Sequence, residues 1–331
     1  MEKKQRPYAI QAYDVKKHFG KTEKNDGPGL NGLTLEVPTG SIFGLLGPNG
    51  AGKTTAVKIL TTLLKLDEGS AFVAGYDVSK EGHCVRSRIG LAGQYAAVDE
   101  QLTGRQNLEM FGRLNRLTLK QARRRCEQLL EQFDLVQAGG KPVGKYSGGM
   151  RRRLDLAASL IVSPEVLFVD EPTTGLDPLA RQEVWQAIRS LKKAGTTVLL
   201  TTQYLEEADL LADRISILKE GRVIREGTPE TLKSEFGGDR LEITLLSSED
   251  VAVAAGVVRE LAGSSMIVDE QENRISVPVS DRTGSLIKVA SAFAGSGLEP
   301  KDIVLRRPTL DEVFIHFTGE TDRKQKEGVS P

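Results

Sequence analysis

Gly40-Ser-Ile-Phe-Gly-Leu-Leu-Gly-Pro-Asn-Gly-Ala-Gly-Lys-Thr-Thr55 runs directly into Ala-Val-Lys-Ile-Leu-Thr-Thr-Leu-Leu64. Residues 42–46 are a short apolar run closed by a Gly-Pro-Asn-Gly turn signal, which reads as a buried strand. After Gly52, Val57, Leu60 and Leu64 recur at helical spacing, so a helix starts at about Lys53. Further apolar runs occur at 89–91, 166–169, 198–200 and 215–218, with helical patterns between them. This alternation predicts a layered α/β domain on a mainly parallel sheet.

Residues 100–160 break the rhythm, because no convincing strand interrupts their helices. Thr103-Gly-Arg-Gln106 is a capping-box pattern ahead of Leu108, Phe111 and Leu114. Leu119, Ala122, Cys126, Leu129, Leu130 and Phe133 form the apolar face of a second helix. After Gly227 the order becomes strand (241–246), helix (249–262), two strands (266–268 and 275–279), helix (284–295) and strand (303–305). That β-α-β-β-α-β order is the ferredoxin-like arrangement, and Pro278 predicts an edge position for its strand. The polar tail from Thr321 is expected to be disordered. The expected domains are therefore 8–230, with a helical subdomain at about 100–160, and 238–318, followed by a flexible tail at 319–331.

The chain has 331 residues, with 45 Lys plus Arg against 45 Asp plus Glu, so the formal net charge is zero. That balance gives no general electrostatic case for nucleic acid or an anionic membrane as partner. The Arg runs at 123–125 and 151–153 lie on helices bounded by acids and are expected to form a solvated or interface face. No apolar stretch is long enough to span a bilayer, and the start lacks the apolar core of a signal peptide. Two cysteines and three histidines make neither a disulfide framework nor a metal-site spacing. Glycine is the outlier, at about 10% against a usual ~7%.

The glycines have a chemical use. Gly47, Pro48, Asn49, Gly50, Ala51, Gly52, Lys53 and Thr54 fit G-x-x-x-x-G-K-[ST] between a strand and a helix, the context of a phosphate-binding loop. Such a loop wraps so that successive N–H groups face one anion, and the helix start adds its positive dipole end. Lys53 supplies a point charge for β- and γ-phosphates, and the Thr54 hydroxyl can ligate Mg²⁺. The run 166–169 ends in Asp170-Glu171-Pro172. Asp170 beside the loop suits Mg²⁺, and Glu171 suits a general base acting on water.

Tyr146-Ser147-Gly148-Gly149-Met150-Arg-Arg-Arg-Leu resembles the signature motif of ATP-binding-cassette (ABC) ATPases, whose usual form is Leu-Ser-Gly-Gly-Gln. The order of parts is similar as well. Phe19 lies where the family stacks an aromatic ring on adenine, Gln94 where it carries the Q-loop glutamine, and Gly175-Leu176-Asp177 resembles the D-loop. Thr55 follows Thr54 in the phosphate loop. The resemblance covers about residues 8–230 and implies a P-loop ABC ATPase domain with a helical subdomain, plus a small C-terminal α+β (ferredoxin-like) domain. It implies ATP and Mg²⁺ as cofactors, with Thr54, Gln94 and Asp170 toward the metal. It also implies a head-to-tail homodimer in which Ser147, Gly148 and Gly149 grip the γ-phosphate held by the other copy. Three positions depart from the family. Gln203 stands where most members have a switch histidine, Tyr146 and Met150 replace Leu and Gln of the signature, and the loop at 21–30 is longer than usual. A glutamine amide can donate to phosphate but cannot relay a proton, which leaves Glu171 as base and Gln203 as a supporting catalytic group.

Tyr146–Ala157, the run Leu-Thr-Thr-Gln203-Tyr-Leu-Glu-Glu-Ala-Asp and the late Arg-Arg-Pro-Thr-Leu-Asp-Glu-Val-Phe resemble the daunorubicin/doxorubicin-resistance type of ATP-binding subunit. The resemblance implies export of a drug, antibiotic or lipid through a separate integral-membrane permease, at the cytoplasmic face of the membrane. The permease contact is expected from residues 95–103 and the helical subdomain. Two rival readings are a soluble cassette ATPase acting on ribosome or DNA, and an interaction protein worked by its C-terminal domain. The first of these usually carries two cassettes or a long coiled coil in one chain.

Overall fold

The computed structural model describes residues 6–20, 29–94, 96–235, 239–262, 266–279, 281–315 and 317. The loop at 21–28, Tyr95 and the tail from 318 lie outside the described residues, and so do the expectations placed on them. Backbone contacts divide the chain into two units, one ending at Thr228 and one beginning at Pro229.

In chain order the first unit contains β1 (Tyr8–Lys17), β2 (Leu30–Pro38), β3 (Ile42–Leu46), α1 (Lys53–Leu60), β4 (Glu68–Val73) and β5 (Tyr76–Asp77). It continues with α2 (Gly82–Arg86), β6 (Ile89–Ala92), α3 (Gly104–Leu114), α4 (Leu119–Gln132) and α5 (Gly148–Ser159). The last elements of the unit are β7 (Val166–Asp170), α6 (Pro178–Lys193), β8 (Thr197–Thr202), α7 (Leu205–Leu211), β9 (Arg214–Lys219) and β10 (Arg222–Gly227). Six strands form one sheet in the order β10-β9-β3-β8-β7-β6. All of its pairings are parallel except β10 with β9. Strands β3, β7 and β8 are buried along their whole length, as parallel strands covered on both faces must be.

A second, antiparallel sheet, β2-β1-β4-β5, lies in the same unit. In β2 the burial alternates, with Leu33, Leu35 and Val37 inside and Thr34 and Glu36 outward, the period-2 pattern of a half-covered strand. In β1 a register shift between Ala12 and Val15, with Asp14 at φ 47°, breaks the alternation.

Residues 100–160 are helical, joined to strand pairing among the described residues only by an isolated Thr103–Pro142 bridge. Both α3 and α4 begin with complete capping boxes, Thr103 with Gln106 and Thr118 with Gln121. Leu114 (70% exposed) and Leu119 (48%) do not join the expected apolar faces. They sit at the two ends of the short link from α3 to α4, where the helices stop covering one another. Leu64 likewise lies past the end of α1. That helix closes at Leu60, with Thr62 at φ 63° and the N–H groups of Leu63 and Leu64 both turned back to the Lys58 carbonyl.

The second unit contains α8 (Pro229–Glu235), β11 (Asp239–Leu245), α9 (Glu249–Ala262), β12 (Ile267–Asp269), β13 (Arg274–Val279), α10 (Arg282–Ser296) and β14 (Pro300–Arg306). Its sheet order is β12-β13-β11-β14, antiparallel throughout, the ferredoxin-like arrangement. A core of Leu241, Ile243, Val258, Ile275, Val277 and Phe293 fills it. The expectation that Pro278 marks an edge strand is corrected, because β13 lies inside the sheet between β11 and β12. Proline is tolerated because β12 is only three residues long and pairs no further than Ser276, so Pro278 faces a partner on the β11 side alone.

Candidate functional site

Four parallel strands end together at one edge of the six-stranded sheet. Leu46 of β3 pairs with Thr202 of β8, Asp170 of β7 with Thr201 of β8, and Ala92 of β6 with Val169 of β7. Each predicted group leaves that edge within a residue or two. The loop from Gly47 follows β3, Gln94 follows β6, Glu171 follows β7 and Gln203 follows β8. Carboxyl ends of parallel strands are where open α/β sheets bind ligands.

The loop 47–52 is held by backbone constraints that only glycine meets. Gly50 and Gly52 have φ of 80° and 106°, and Gly52 is the N-cap of α1 without a side-chain cap, leaving the first helical N–H groups free to meet an anion. A Cβ on Gly47 would stand 2.5 Å from the Leu218 carbonyl oxygen. Lys53 is only 5% exposed, and its Nζ donates to the carbonyls of Gly47 (2.7 Å) and Pro48 (3.2 Å). Burial pulls the Lys53 pKa down from the usual lysine value, opposed by the nearby Glu171 and Asp170 carboxylates. Glu171 Oε1 lies 3.9 Å from Lys53 Nζ, and the Glu171 backbone is left-handed at φ 46°. Strain of this kind persists where surrounding structure dictates it.

Asp170 is buried at the end of β7. One of its oxygens accepts from the Thr201 hydroxyl, and the other lies 3.5 Å from Thr54 Oγ1. These hard oxygen donors fit Mg²⁺, which in phosphate sites takes one or two protein oxygens and keeps substrate phosphates and water as its other ligands. Among the described residues there is no His/Cys/Asp/Glu cluster of the kind that holds a metal by itself. Gln94 is exposed two residues past β6, and Phe19 is half-buried two residues past β1. Gln203 is half-buried directly after β8. Among the described residues no hydrogen bond or ion pair joins these three to the phosphate loop; the strand ends alone bring them to its edge of the sheet.

The signature residues form a second group. Ser147 is the N-cap of α5, its Oγ accepting from the Met150 N–H (3.2 Å) while its own O–H remains a donor. Asp177 caps α6 by accepting from the Ala180 N–H (2.9 Å), with Pro178 at the first helical position. The two loops meet closely. A Cβ on Gly148 would lie 3.1 Å from Leu176, and one on Gly149 only 2.8 Å from the Ala180 Cβ. Tyr146, in place of the usual leucine, is buried, with its hydroxyl donating to the Ala138 carbonyl at 2.8 Å. Among the described residues no hydrogen bond or ion pair joins residues 147–149 to the loop 47–52.

Sequence reasoning missed two supporting groups. Glu207, fully buried on α7, accepts from Thr173 Oγ1 (3.0 Å) and Trp185 Nε1 (3.1 Å), tying the exit of β7 to the helix after Gln203. Burial pushes its carboxyl above the usual range. The other is Arg152. The expectation of a solvated or interface face for the Arg run 151–153 is corrected at this residue, which is 6% exposed and turns its guanidinium inward to three backbone carbonyls and Asp155. Arg151 does meet the expectation, pairing with Glu100 at 2.7 Å near the surface.

Comparison with known proteins identifies the family. Residues 30–174 match the ABC transporter family, and residues 227–318 match the C-terminal domain of DrrA1-3-like ATP-binding proteins. The chain is 55% identical to the daunorubicin resistance ATP-binding protein DrrA2 of Streptomyces coeruleorubidus, over 94% of this chain and 95% of that one. It is 32% identical to the linearmycin resistance ATP-binding protein LnrL of Bacillus subtilis (strain 168), over 95% of this chain and 99% of that one. Among solved structures, a dimeric ATP-binding cassette in a post-hydrolysis state bound to ADP and Pi superposes with a TM-score of 0.59. It is 25% identical, covering 66% of this chain and 98% of that one.

The contact between α5 and α6 gives a test. Gly149→Ala sets a methyl against Ala180 and is expected to cost about 1–3 kcal/mol, the usual range for overpacking. The check is a lower melting temperature in thermal unfolding. An unchanged melting temperature would show that the two helices part freely.

Proposed function

The chain belongs to the ATP-binding subunits of ABC transporters, in the daunorubicin/doxorubicin-resistance branch, and on that premise we propose that two copies join head to tail to drive a separate membrane permease. The subunit is an ATPase of an exporter. One observation supports the proposed pairing above the others: the predicted site residues fall into two groups, with no hydrogen bond or ion pair between residues 147–149 and the loop 47–52 among the described residues. Lys53, Thr54, Asp170 and Glu171 stand at one sheet edge, while Ser147, Gly148 and Gly149 open α5. One loop covers one side of a triphosphate, and the second group closes the other side from a partner copy.

In this arrangement the N–H groups of the phosphate loop and the Lys53 ammonium hold the β- and γ-phosphates. Thr54 and Asp170, with Gln94, hold Mg²⁺, which when bound neutralises charge developing on the phosphates. Glu171 accepts the proton of the attacking water. Gln203 donates its amide N–H to the γ-phosphate, Phe19 stacks on the adenine, and Asp177 positions the loop beside the partner's site. Among the described residues no helix is long and apolar enough to cross a membrane. The transport path is proposed to lie in a permease at whose cytoplasmic face the chain works. Residues 96–103 and the helical subdomain are the surface proposed for that contact. The names of the relatives favour an antibiotic of the daunorubicin or linearmycin kind as cargo, with a lipid as the other candidate.

Three measurements check this reading. Glu171→Gln is expected to lower kcat by about 10²–10⁴, the range of a lost general base. Gln203→Ala is expected to lower it by a distinctly smaller factor, because an amide moves no proton. Equal losses would contradict the assignment. ATPase rate should also rise faster than linearly with protein concentration, and the chain should co-purify from membranes with one polytopic partner. Linear scaling by a monomer, or a ribosome or DNA in place of the polytopic protein, would favour the soluble-cassette alternative.

A further inference from the structure

Arg152 lies five residues after the Ser147 cap on α5, and its guanidinium reaches the sheet edge. Nε donates to the Pro172 carbonyl (3.0 Å) and Nη2 to the Asp170 carbonyl (3.1 Å). These two carbonyls flank Glu171 on either side. Nη1 donates to the Gly93 carbonyl, immediately before Gln94, and to Asp155 Oδ2 (3.2 Å). The other Asp155 oxygen accepts from the Ala97 N–H (2.8 Å), on the far side of Gln94. One buried ion pair on α5 therefore brackets both Glu171 and the Gln94 segment.

The chemistry suits a planar fork and not a point charge. Four of the five guanidinium N–H donors are used in fixed directions, a pattern lysine cannot copy. Burial pulls Arg152 below and Asp155 above their ordinary values, and their mutual attraction offsets only part of that desolvation. A buried ion pair of this kind is weak evidence of stability, and its retention calls for another explanation. The left-handed backbone of Glu171 supplies one, because φ of 46° has to be imposed on a non-glycine residue from both sides.

We propose that Arg152, oriented by Asp155, is a positioning residue for hydrolysis: it clamps the backbone around Glu171 and Gln94 and couples their alignment to the helix that Ser147 caps. This rests on the reading of Glu171 as base and of Ser147 as a phosphate ligand for the partner copy. Movement of α5 when Ser147 engages a phosphate is then transmitted to the base of the chain's own site.

Arg152→Lys keeps the positive charge that Asp155 needs but loses the fork. Steady-state ATPase kinetics on the full chain, with direct titration of ATP binding, are expected to show kcat lowered by about 10- to 100-fold, the scale of a small misplacement. ATP affinity should stay within about twofold, since the phosphate loop is untouched. The same change in a Glu171→Gln background should cost a distinctly smaller factor than in the native chain, because the part that acts through that carboxylate is already lost and only the part through Gln94 remains. Arg152→Met with Asp155→Leu, which removes both buried charges together, is expected to give the same split and serves if the lysine variant fails to fold. Loss of ATP affinity with kcat unchanged, or an equal fold-loss in the Glu171→Gln background, would overturn the proposal. If Glu171→Gln alone leaves kcat intact, the base assignment falls and the clamp falls with it, a failure visible before any Arg152 variant is made.

Discussion

Lys53 places an ammonium where almost no water reaches it, 2.7 Å from the carbonyl of Gly47 and 3.9 Å from Glu171. Cations are costly to bury unless paired, and the carbonyls of the loop and the carboxylates of β7 supply the pairing. The loop itself presents N–H groups without side-chain caps, which only an anion satisfies well. A polyphosphate is the kind of ligand that suits both a buried ammonium and uncapped helix N–H groups. The fully buried strands β3, β7 and β8 follow from this, since they fix the loop and the two acids in a register of single residues.

A single phosphate loop covers one side of such a ligand. The second set of donors, at the start of α5, is mechanically joined to the acids through Arg152 yet shares no bond with the loop. That separation is the physical ground for the proposed pairing, in which the signature group of one copy meets the loop of another. The close packing of Gly148 and Gly149 against Leu176 and Ala180 ties the signature group to the loop that ends in Asp177.

Much of this could be read from the sequence because its signals are local. An apolar run, a glycine turn and Lys-Thr identify β3, the loop and α1, and an apolar run ending in Asp-Glu identifies β7. The ferredoxin-like order was legible for the same reason, since each element carries its own period. The antiparallel sheet was overlooked, although Leu33, Leu35 and Val37 alternate cleanly in β2; the bulge near Asp14 hides the matching period in β1. Pro278 was misplaced because the length of its neighbour, β12, is a tertiary fact. Arg152 was illegible. A run of three arginines reads as solvated, and its burial depends on carbonyls contributed by residues 93, 170 and 172, far away along the chain.

In the proposed pair, each ATP site takes its loop from one copy and its signature from another. Mixing two inactive variants tests it directly. Lys53→Ala disables the loop of one copy and Ser147→Arg blocks the signature of the other. In a mixed dimer one site carries both lesions and the other carries none. With shared sites an equimolar mixture regains ATPase activity, to about a quarter of the native rate for random pairing with independent sites. A mixture as inactive as either variant alone would place the whole site within one chain and rule out shared sites.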